Sequence, residues 1–449
     1  STSSSTTLPM STPVQSARAS EESPYRDWYV WSRDEPSDAK EGVVFPGVQE
    51  QTWTKDDKAK AWYYHRFYDF QPDLDNTNPE VRAEIRKIAA FWLQLGVSGF
   101  RMDAAPFVIE ESRPDDPNPP KDFDYLRQLR ELTSWRRGDG VILAEANAER
   151  DELVQYFGGG DRLPMLFNFL LNQRLFLAVA RGESTPILAA LEAAPSIPES
   201  CQWATFLRNH DEIDLGRLSE RERAECFAPF GPKPEMQLYG RGIRRRLAPM
   251  LGGDRRRIEM MYSLQFTLPG TPVLRYGEEL SMGDDLSLPE RDAIRTPMQW
   301  TAEANAGFSS AATDQLRRPV ITRGAFGYRK VNVALQRRDP GSLLMWMERM
   351  LHTLHECPEF GVGTCTPVDS GHPAVLALLY DAPGGTMLAL TNLGDDARTV
   401  DLGSQPGAEG DPVEVFGNRE YDPPGANLKS VEVDAFGYRW IRLRETPGR

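Results

Sequence analysis

Between residues 79 and 300 the chain alternates helical apolar patterns with short, continuous apolar runs. One helical pattern passes through Val81, Ile85, Ile88 and Trp92 and ends at Gly96, a residue suited to a helix C-terminus. The apolar runs have the length of strands and span 97–103, 141–145, 163–170, 203–211 and 271–279. All of them except the run at 163–170 end in polar or charged residues. Strands separated by helices predict parallel βα units.

The C-terminal part follows a different pattern. A last helical stretch at 343–356 precedes short apolar runs separated by Gly, Pro and Asp, at 374–380, 386–390, 413–416 and 439–443. These runs predict a small antiparallel β-sandwich domain. At the other end, eleven of the first twenty residues are Ser or Thr, which is typical of a disordered tail. The predicted organisation is a tail at 1–22, an inserted loop domain at 23–70, an α/β barrel part at 71–358 and a β domain at 359–449.

Composition narrows the class of protein. The 449 residues are 40% hydrophobic and 26% charged, as in globular proteins, and their net charge is −14. That charge argues against nucleic acid or an anionic membrane as the main partner, and no apolar run has the length of a membrane span. The four cysteines are too few for a disulfide framework, so a reducing, cytoplasmic compartment is expected. Because the chain begins with Ser1 rather than Met, we expect an N-terminal piece to be absent.

Three acidic residues, Asp103, Glu145 and Asp211, stand at the ends of three predicted strands. The carboxyl ends of parallel barrel strands meet at one mouth, so these side chains are expected to converge. Paired carboxylates suit glycoside chemistry, in which one attacks the anomeric carbon and the other protonates the leaving oxygen. A third would stabilise the positive charge on the sugar, and Arg101 would keep the nucleophile ionised. Capping of the following helices is the alternative role for each acid.

A dense group of aromatic residues precedes the first helical pattern. It comprises Trp53, Trp62, Tyr63, Tyr64, Phe67, Tyr68 and Phe70. Such a group fits a core beneath a long loop, and it also fits a platform that stacks on the apolar faces of sugars.

The segments that carry the three acids resemble the motifs of a known family. Residues 99–104 are similar to the nucleophile motif of the α-amylase superfamily, glycoside hydrolase family 13; residues 143–147 resemble its acid/base motif and residues 208–212 its third-carboxylate motif. The order and spacing of the motifs also match, and residues 71–75 resemble the loop motif before the fourth barrel strand. The resemblance extends from about Ser23 to the C-terminus.

The resemblance implies a retaining double displacement. It makes Asp103 the nucleophile, Glu145 the general acid/base and Asp211 the transition-state stabiliser. The residues that it assigns to sugar binding are Arg101, Asn209, His210 and Arg295. No cofactor is required for this chemistry.

Within the family the chain resembles trehalose synthases, through segments 25–31, 242–249, 282–284 and 291–300. This implies an enzyme that interconverts maltose and trehalose through a glucosyl-enzyme, with side hydrolysis to glucose. Residues 295–300 also resemble α-glucosidases, so an α-glucosidase or α-amylase type of hydrolase is an alternative. The expected ligand is a disaccharide or maltooligosaccharide, and a homo-oligomer is compatible with the sequence.

The family fold implied is a (β/α)8 TIM barrel, of which strands four to eight are visible. Its first three strands should precede Tyr25, and nothing there matches them, so the barrel is expected to be N-terminally incomplete. The absent motif normally supplies an Asp and an Asn-His pair, so a structural calcium would lack part of its ligands. A third interpretation follows, an inactive scaffold or a fragment that needs a partner segment.

Other residue groups have the composition of sites. His352, His355, Cys357 and Cys365 could form a zinc site, against a solvated helix end as the alternative. The arginine runs at 244–246 and 255–257 could bind nucleic acid, but in a chain of net charge −14 they are expected to pair with surface acids. The acidic pairs at 278–279 and 284–285 could bind a metal, but they are expected to line the sugar site or to be solvated.

Overall fold

The structure, a computed structural model, describes residues 12–405, 411–425 and 428–444. The chain divides into two compact units. The first unit comprises Ser1–Phe167 and Ala194–Ala204, and the second comprises Asn168–Ala193 and Thr205–Arg449.

The first unit contains a parallel sheet with helices between its strands and a small antiparallel sheet. Its helices are Thr12–Ala19 (α1), Pro79–Gln94 (α2), Ala105–Val108 (α3), Phe123–Arg136 (α4) and Arg150–Phe157 (α5). Its strands are Trp31–Ser32 (β1), Trp53–Asp56 (β2), Ala61–Tyr64 (β3), Gly99–Met102 (β4), Val141–Ala144 (β5), Met165–Phe167 (β6) and Gln202–Thr205 (β7), the last residue of β7 belonging to the second unit.

Strands β4, β5, β6 and β7 pair in parallel in chain order, which confirms the predicted βα units. Local sequence explains where the long helix before β4 begins: the side chain of Asn78 accepts the amide of Glu80, and Pro79 occupies the first turn. At its other end Gly96 adopts φ = 99°, the left-handed conformation that the sequence pattern predicts at a helix C-terminus. The helix therefore ends just before β4 and fixes the start of that strand.

Part of the segment predicted as a disordered tail forms a helix in the structure. Residues 12–19 form α1, in which Val14 and Ala17, three positions apart, are buried with Tyr29, Leu74 and Val81. The prediction of disorder is wrong for these residues because apolar side chains at helical spacing give the Ser/Thr-rich stretch one face to bury. Residues 1–11 lie outside the described residues.

The aromatic group divides between interior and surface. Trp53 is fully buried and packs on Tyr64 with ring centroids 5.1 Å apart. Phe70 is 57% exposed and stacks on Tyr68 at 5.2 Å and 9°. The core interpretation therefore fits Trp53 and Tyr64, while a sugar platform stays a prediction for Tyr68 and Phe70.

The second unit contains helices around a buried α10 and a C-terminal β region. Its helices are Phe169–Arg181 (α6), Thr185–Ala193 (α7), Glu220–Phe230 (α8), Leu247–Met250 (α9), Arg255–Thr267 (α10), Val333–Gln336 (α11), Leu343–His355 (α12) and Glu359–Val362 (α13). Its strands are Ile213–Asp214 (β8), Gln237–Leu238 (β9), Gly242–Ile243 (β10), Thr271–Pro272 (β11), Thr364–Val368 (β12), Val375–Ala382 (β13), Gly385–Asn392 (β14), Arg398–Val400 (β15), Asp411–Gly417 (β16), Val431–Val433 (β17) and Tyr438–Arg444 (β18).

All five predicted barrel strands are shorter than their apolar runs, and only Thr271–Pro272 of the run at 271–279 forms a strand. The run at 163–170 ends as a strand at Phe167, because the Asn168 side chain accepts the amide of Leu171 and starts α6. The run at 203–211 ends as a strand at Thr205, whose carbonyl accepts the amide of Val273 at 2.7 Å. The predicted incompleteness of the barrel stays a prediction.

The predicted antiparallel C-terminal region is confirmed as a five-stranded sheet in the order β12-β13-β14-β18-β16 and a separate pair, β15-β17. Side chains alternate between its two faces. Leu376, Leu378 and Tyr380 join the core that contains α10 and α12, whereas Ala377 and Leu379 join the core that contains β15 and β17. Both faces of the sheet are therefore covered within this unit.

Among the described residues, none of the helices combines the length and the apolar character that a bilayer crossing requires. The four cysteines are free thiols, three of them buried.

The burial of α1 gives a test of its place in the first unit. Val14→Asp puts an unpaired charge at a side chain that is 1% exposed, and we expect it to lower the free energy of unfolding by roughly 2–4 kcal/mol. Gln15→Asp, on the exposed face of the same helix, is the matched control. Thermal and urea unfolding measure both variants, and equal stability of the two would contradict the packing of α1.

Candidate active site

Two adjacent strand ends in the first unit bring two of the predicted acids together. Met102 of β4 and Ala144 of β5 are partners in the parallel register, and Asp103 and Glu145 are the residues that follow them. The Glu145 amide donates to the Met102 carbonyl at 3.0 Å, and the Glu145 carbonyl accepts the Ala105 amide at 2.9 Å. The backbone of Glu145 is thus tied to both sides of Asp103.

The turn after Asp103 has a left-handed residue, Ala104, at φ = 47° and ψ = 46°. A side chain other than Gly rarely adopts this conformation without tertiary support. The hydrogen bond between Ala105 and Glu145 supplies that support, so the turn and the second strand end depend on each other.

Arg101 contacts both carboxylates. Its Nη1 lies 2.9 Å from Oδ1 of Asp103, and its Nη2 donates to Oε2 of Glu145. The three side chains are partly exposed, at 21% for Arg101, 31% for Asp103 and 17% for Glu145, so they remain open to a ligand. One guanidinium therefore contacts both of the carboxylates that the sequence predicts to lie close together.

Asp211 lies in a second cluster, in the second unit. Its Oδ1 accepts from Nη2 of Arg295 and lies 3.7 Å from Nε2 of His210, and its Oδ2 lies 3.4 Å from Nη1 of Arg291. Arg291 also holds Glu212 through two contacts, of 2.7 and 3.1 Å. Asp211 is thus a carboxylate in contact with two guanidinium groups and close to an imidazole.

These three neighbours decide the ionisation of Asp211. Burial alone would raise its pKa, but Arg291, His210 and Arg295 together outweigh burial and lower the pKa below its usual range. Burial would lower the pKa of the Arg291 guanidinium, but Asp211 and Glu212 outweigh burial and raise it. Asp211 is therefore an anion at neutral pH despite its burial.

Backbone contacts fix the loop that carries Asp211. The Asn209 side chain accepts the Asp211 amide at 2.9 Å, and Arg208 donates to the Asp211 carbonyl at 2.7 Å. Arg295 donates through Nε to the His210 carbonyl at 2.7 Å. The side-chain oxygen of Asn209 therefore stabilises the loop through a hydrogen bond within it. The sugar contacts expected of Asn209, His210 and Arg295 stay predictions.

Sequence reasoning missed Arg291 and Glu212. Glu212 is adjacent to Asp211 in the third motif, and Arg291 precedes Arg295 by four positions in a segment that the resemblance already singled out. The four-residue spacing of the two arginines was the available signal. The short helical turn at Glu290–Ile294 lies between them, and both guanidinium groups contact Asp211.

The expectation that the arginine run at 244–246 pairs with surface acids is wrong. Arg245 contacts Asp284 at 2.9 Å and Arg246 contacts Glu278 at 3.2 Å, and both acidic side chains are buried, at 6% and 4% exposure. These pairs are interior because the segments that carry them pack beneath the Asp211 loop, where Arg208 donates to the Arg245 carbonyl. The expectation that residues 278 and 284 are solvated is wrong for the same reason, whereas a place of the acidic pairs beside the sugar site stays a prediction.

A cavity of about 940 Å³ borders the second cluster. Arg295, Arg275 and Glu279 form part of its wall, and Tyr276 and Trp300 add aromatic faces. Apolar side chains of α12 complete it on one side, among them Leu344, Met347 and Leu351. The cavity combines charge and aromatic surface within reach of Arg295, which suits a polar ligand with apolar faces.

In the described parts of the chain, no group of three or more His, Cys, Asp and Glu side chains is placed to hold a metal ion. The side chain of His352 is 82% exposed and lies 3.7 Å from Glu356, and Cys357 is buried. The four residues of the predicted zinc site therefore form no metal-binding group, and a structural calcium stays a prediction.

The chain matches the sequence profile of the alpha amylase catalytic domain over residues 10–226 and 244–358. It is 36% identical to the trehalose synthase of Pimelobacter sp., over 97% of this chain and 78% of that protein. It is 38% identical to the trehalose synthase/amylase TreS of Mycolicibacterium smegmatis, over 96% of this chain and 75% of that protein. With the trehalose synthase of Thermus thermophilus the identity is 41%, over 94% of this chain and 44% of that protein.

Solved structures agree on the fold. The α-amylase of H. orenii superposes with a TM-score of 0.72 at 21% identity, over 96% of this chain and 77% of that one. The trehalulose synthase MutB of Pseudomonas mesoacidophila superposes with a TM-score of 0.73 at 21% identity, over 96% and 80%. From the matched profile, the similar relatives and the shared α-amylase fold, the chain belongs to the α-amylase family.

Proposed function

We propose that this protein interconverts maltose and trehalose by a retaining double displacement, with side hydrolysis to glucose. The observation that carries the proposal is the pair formed by Asp103 and Glu145 on one guanidinium, Arg101, at adjacent strand ends. The relatives named trehalose synthase, at 36–41% identity, support the choice of substrate.

In the first half-reaction, the Asp103 carboxylate attacks the anomeric carbon of the non-reducing glucose of maltose. Glu145, as the acid, gives its proton to the glycosidic oxygen as that bond breaks. The products are a glucosyl ester on Asp103 with inverted configuration and a free glucose. The positive charge of Arg101, 2.9 Å from Asp103, favours the ionised form of this nucleophile before the reaction begins.

In the second half-reaction, Glu145 acts as the base. It takes the proton of the anomeric hydroxyl of the retained glucose, whose oxygen attacks the sugar carbon and releases Asp103. The second inversion restores the original configuration, and the product is trehalose. If water takes the place of this hydroxyl, the product is a second glucose, so exclusion of water separates isomerisation from hydrolysis.

Asp211 is the third carboxylate of this proposal. Both displacements pass through a sugar that carries positive charge, and an anion that stays ionised stabilises it. The lowered pKa of Asp211 suits that role, and Arg291 and Arg295 keep the carboxylate in place. The proposal that Asp211 acts in the same active site as Asp103 and Glu145 rests on the resemblance to the family motifs.

Two alternatives have their own signatures. An α-glucosidase or α-amylase type of hydrolase would form glucose from maltose without trehalose at any stage. An inactive scaffold would bind sugar without turnover. The intact pair on Arg101 favours an active enzyme over a scaffold.

The first test separates nucleophile from acid/base. Glu145→Gln is expected to lower kcat for maltose by ~10²–10⁴-fold, and Asp103→Asn by more. With α-glucosyl fluoride, whose leaving group needs no proton, Glu145→Gln should regain the first step whereas Asp103→Asn should not. Chromatography of sugars and a fluoride electrode measure these outcomes.

Asp151→Asn, an exposed carboxylate on α5 of the same unit, is the matched control and should keep full activity. Trehalose from maltose in the unmodified protein supports the isomerase. Glucose alone identifies a hydrolase, and fluoride release by Asp103→Asn at the rate of the unmodified protein would refute the assignment of the nucleophile.

The second test concerns the charge of Asp211. Arg291→Gln removes the largest effect that lowers this pKa, so the pKa of Asp211 rises and the carboxylate takes up a proton at a higher pH. The acidic limb of the pH profile of kcat/KM should therefore move to higher pH. Arg256→Gln, at a surface pair with Asp254, is the control and should leave that limb unchanged. An unmoved limb in Arg291→Gln would contradict the role of Arg291.

A further inference from the structure

A surface cavity of about 470 Å³ lies beside the small antiparallel sheet of the first unit, whose strands pair in the order β1-β3-β2. Its volume falls within the range of about 300–1,000 Å³ that is typical of ligand pockets. The residues that line it are Arg33, Asp34, Glu35, Lys55, Asp57, Lys60 and Trp62. None of them belongs to the two acidic clusters described above, so this space is outside the proposed chemistry. We call it the sheet cavity.

Trp62 supplies the aromatic surface of the sheet cavity, and the register of the sheet explains its position. In the antiparallel pairs, Trp62 lies opposite Ser32 of β1 and Lys55 of β2, and side chains of paired residues point to the same face. The Trp62 side chain packs against a core cluster that contains Trp53 and Tyr64, yet it stays partly exposed. The core therefore holds the indole while part of its surface lines the cavity.

The turn that joins β2 to β3 forms one charged wall of the sheet cavity, through Asp57 and Lys60. The Asp56 carboxylate accepts the amide of Lys58 at 2.9 Å and that of Ala59 at 3.0 Å, which fixes the turn. Lys60 has the left-handed value φ = 50° and leads the chain into β3. A short, hydrogen-bonded turn therefore holds these two charged residues at the cavity.

The segment after β1 forms a second charged wall, through residues 33–35. At its start the Ser32 hydroxyl donates to the Asp34 carbonyl at 2.7 Å. Beyond its end the Ser37 amide donates to the Asp115 carboxylate at 2.6 Å. Both walls are thus held by hydrogen bonds of the first unit itself, so the cavity is formed before a ligand binds.

The charges of the sheet cavity cancel. Its six charged side chains are exposed, and three of them are cations and three are acids. None of the six has an ion-pair partner among the described residues. Their donors and acceptors are therefore available to a ligand, and their sum of zero gives no preference for an ion of either sign.

This combination indicates the class of ligand. An aromatic face packs against the apolar C–H face of a sugar ring, and charged donors and acceptors form strong hydrogen bonds with hydroxyl groups. An ion would meet as many like charges as unlike ones in this cavity. A neutral molecule with many hydroxyl groups and an apolar ring face fits it best.

We infer that the sheet cavity is a second carbohydrate-binding site, which holds a neutral oligosaccharide of glucose and takes no part in bond cleavage. Trp62 would stack on one sugar ring, and the charged walls would bind its hydroxyl groups. The class of ligand rests on the cavity alone, and only the choice of glucose as the sugar rests on the proposed function.

The test is sugar binding without turnover. The whole chain carrying Asp103→Asn, which is expected to stop turnover, is titrated with maltotriose in a calorimeter. We expect a binding site whose Kd rises by about tenfold or more when Trp62→Ala is added, because the stacking face is lost. A titration that Trp62→Ala leaves unchanged would overturn the inference.

Two exposed lysines provide a matched pair of variants in the same hairpin. Lys55 lines the sheet cavity, whereas Lys58 does not. Lys55→Ala should weaken the binding of maltotriose, and Lys58→Ala should not. Equal effects of the two substitutions would assign binding to the general surface and contradict the inference. Because both side chains are exposed, this comparison gives an answer even if Trp62→Ala fails to fold.

Turnover separates this inference from the proposed function. Trp62→Ala in the otherwise unmodified protein should keep the kcat/KM for maltose. A parallel loss of maltotriose binding and of kcat/KM would make the sheet cavity part of the active site and overturn the inference. A chain that binds maltotriose through Trp62 but forms neither trehalose nor glucose from maltose would refute the proposed function and support the second site.

Discussion

The parallel register of β4 and β5 is the constraint on which the first cluster depends. It makes Asp103 and Glu145 neighbours, although many residues separate them in the chain. Two like charges at adjacent strand ends repel, and the Arg101 guanidinium relieves that repulsion because it contacts both. A slip of one residue in this register would turn one carboxylate away from the other, so the chemistry rests on a backbone alignment as much as on the acids themselves.

The second cluster solves a different electrostatic problem. Burial by itself would favour the neutral form of Asp211, and Arg291, His210 and Arg295 reverse that preference. The exposure of Asp211, 19%, lies between the 31% of Asp103 and the 17% of Glu145, so the two clusters do not differ in exposure. They differ in charge, because two guanidinium groups contact Asp211 whereas Asp103 and Glu145 share one.

Periodicity predicted the parallel strands and the C-terminal strands but not α1, and residue chemistry predicted that Asp103 and Glu145 lie together. Apolar runs identified the strands that precede Asp103 and Glu145, because strands of a parallel sheet have a nearly continuous apolar sequence. The same signal could not place the end of β6, where the cap formed by Asn168 overrides the apolar residues that follow. It also could not separate a buried arginine such as Arg246 from a surface one, since only tertiary packing decides which charges lose their water.

The C-terminal sheet is bound to the helices by polar as well as apolar contacts. The Trp440 indole donates to the Ser263 hydroxyl at 3.0 Å, and the Tyr380 hydroxyl donates to the Thr267 carbonyl at 2.6 Å, both on α10. The Trp346 indole of α12 donates to the Tyr438 hydroxyl at 2.8 Å. The C-terminal sheet therefore shares one hydrophobic core with α10 and α12. A recombinant chain shortened before β12 would expose the apolar side chains of α10 that now pack on the C-terminal sheet. Exposed apolar patches of this kind cause aggregation, so such a truncation would fail as a folded protein whether or not its catalytic residues were intact.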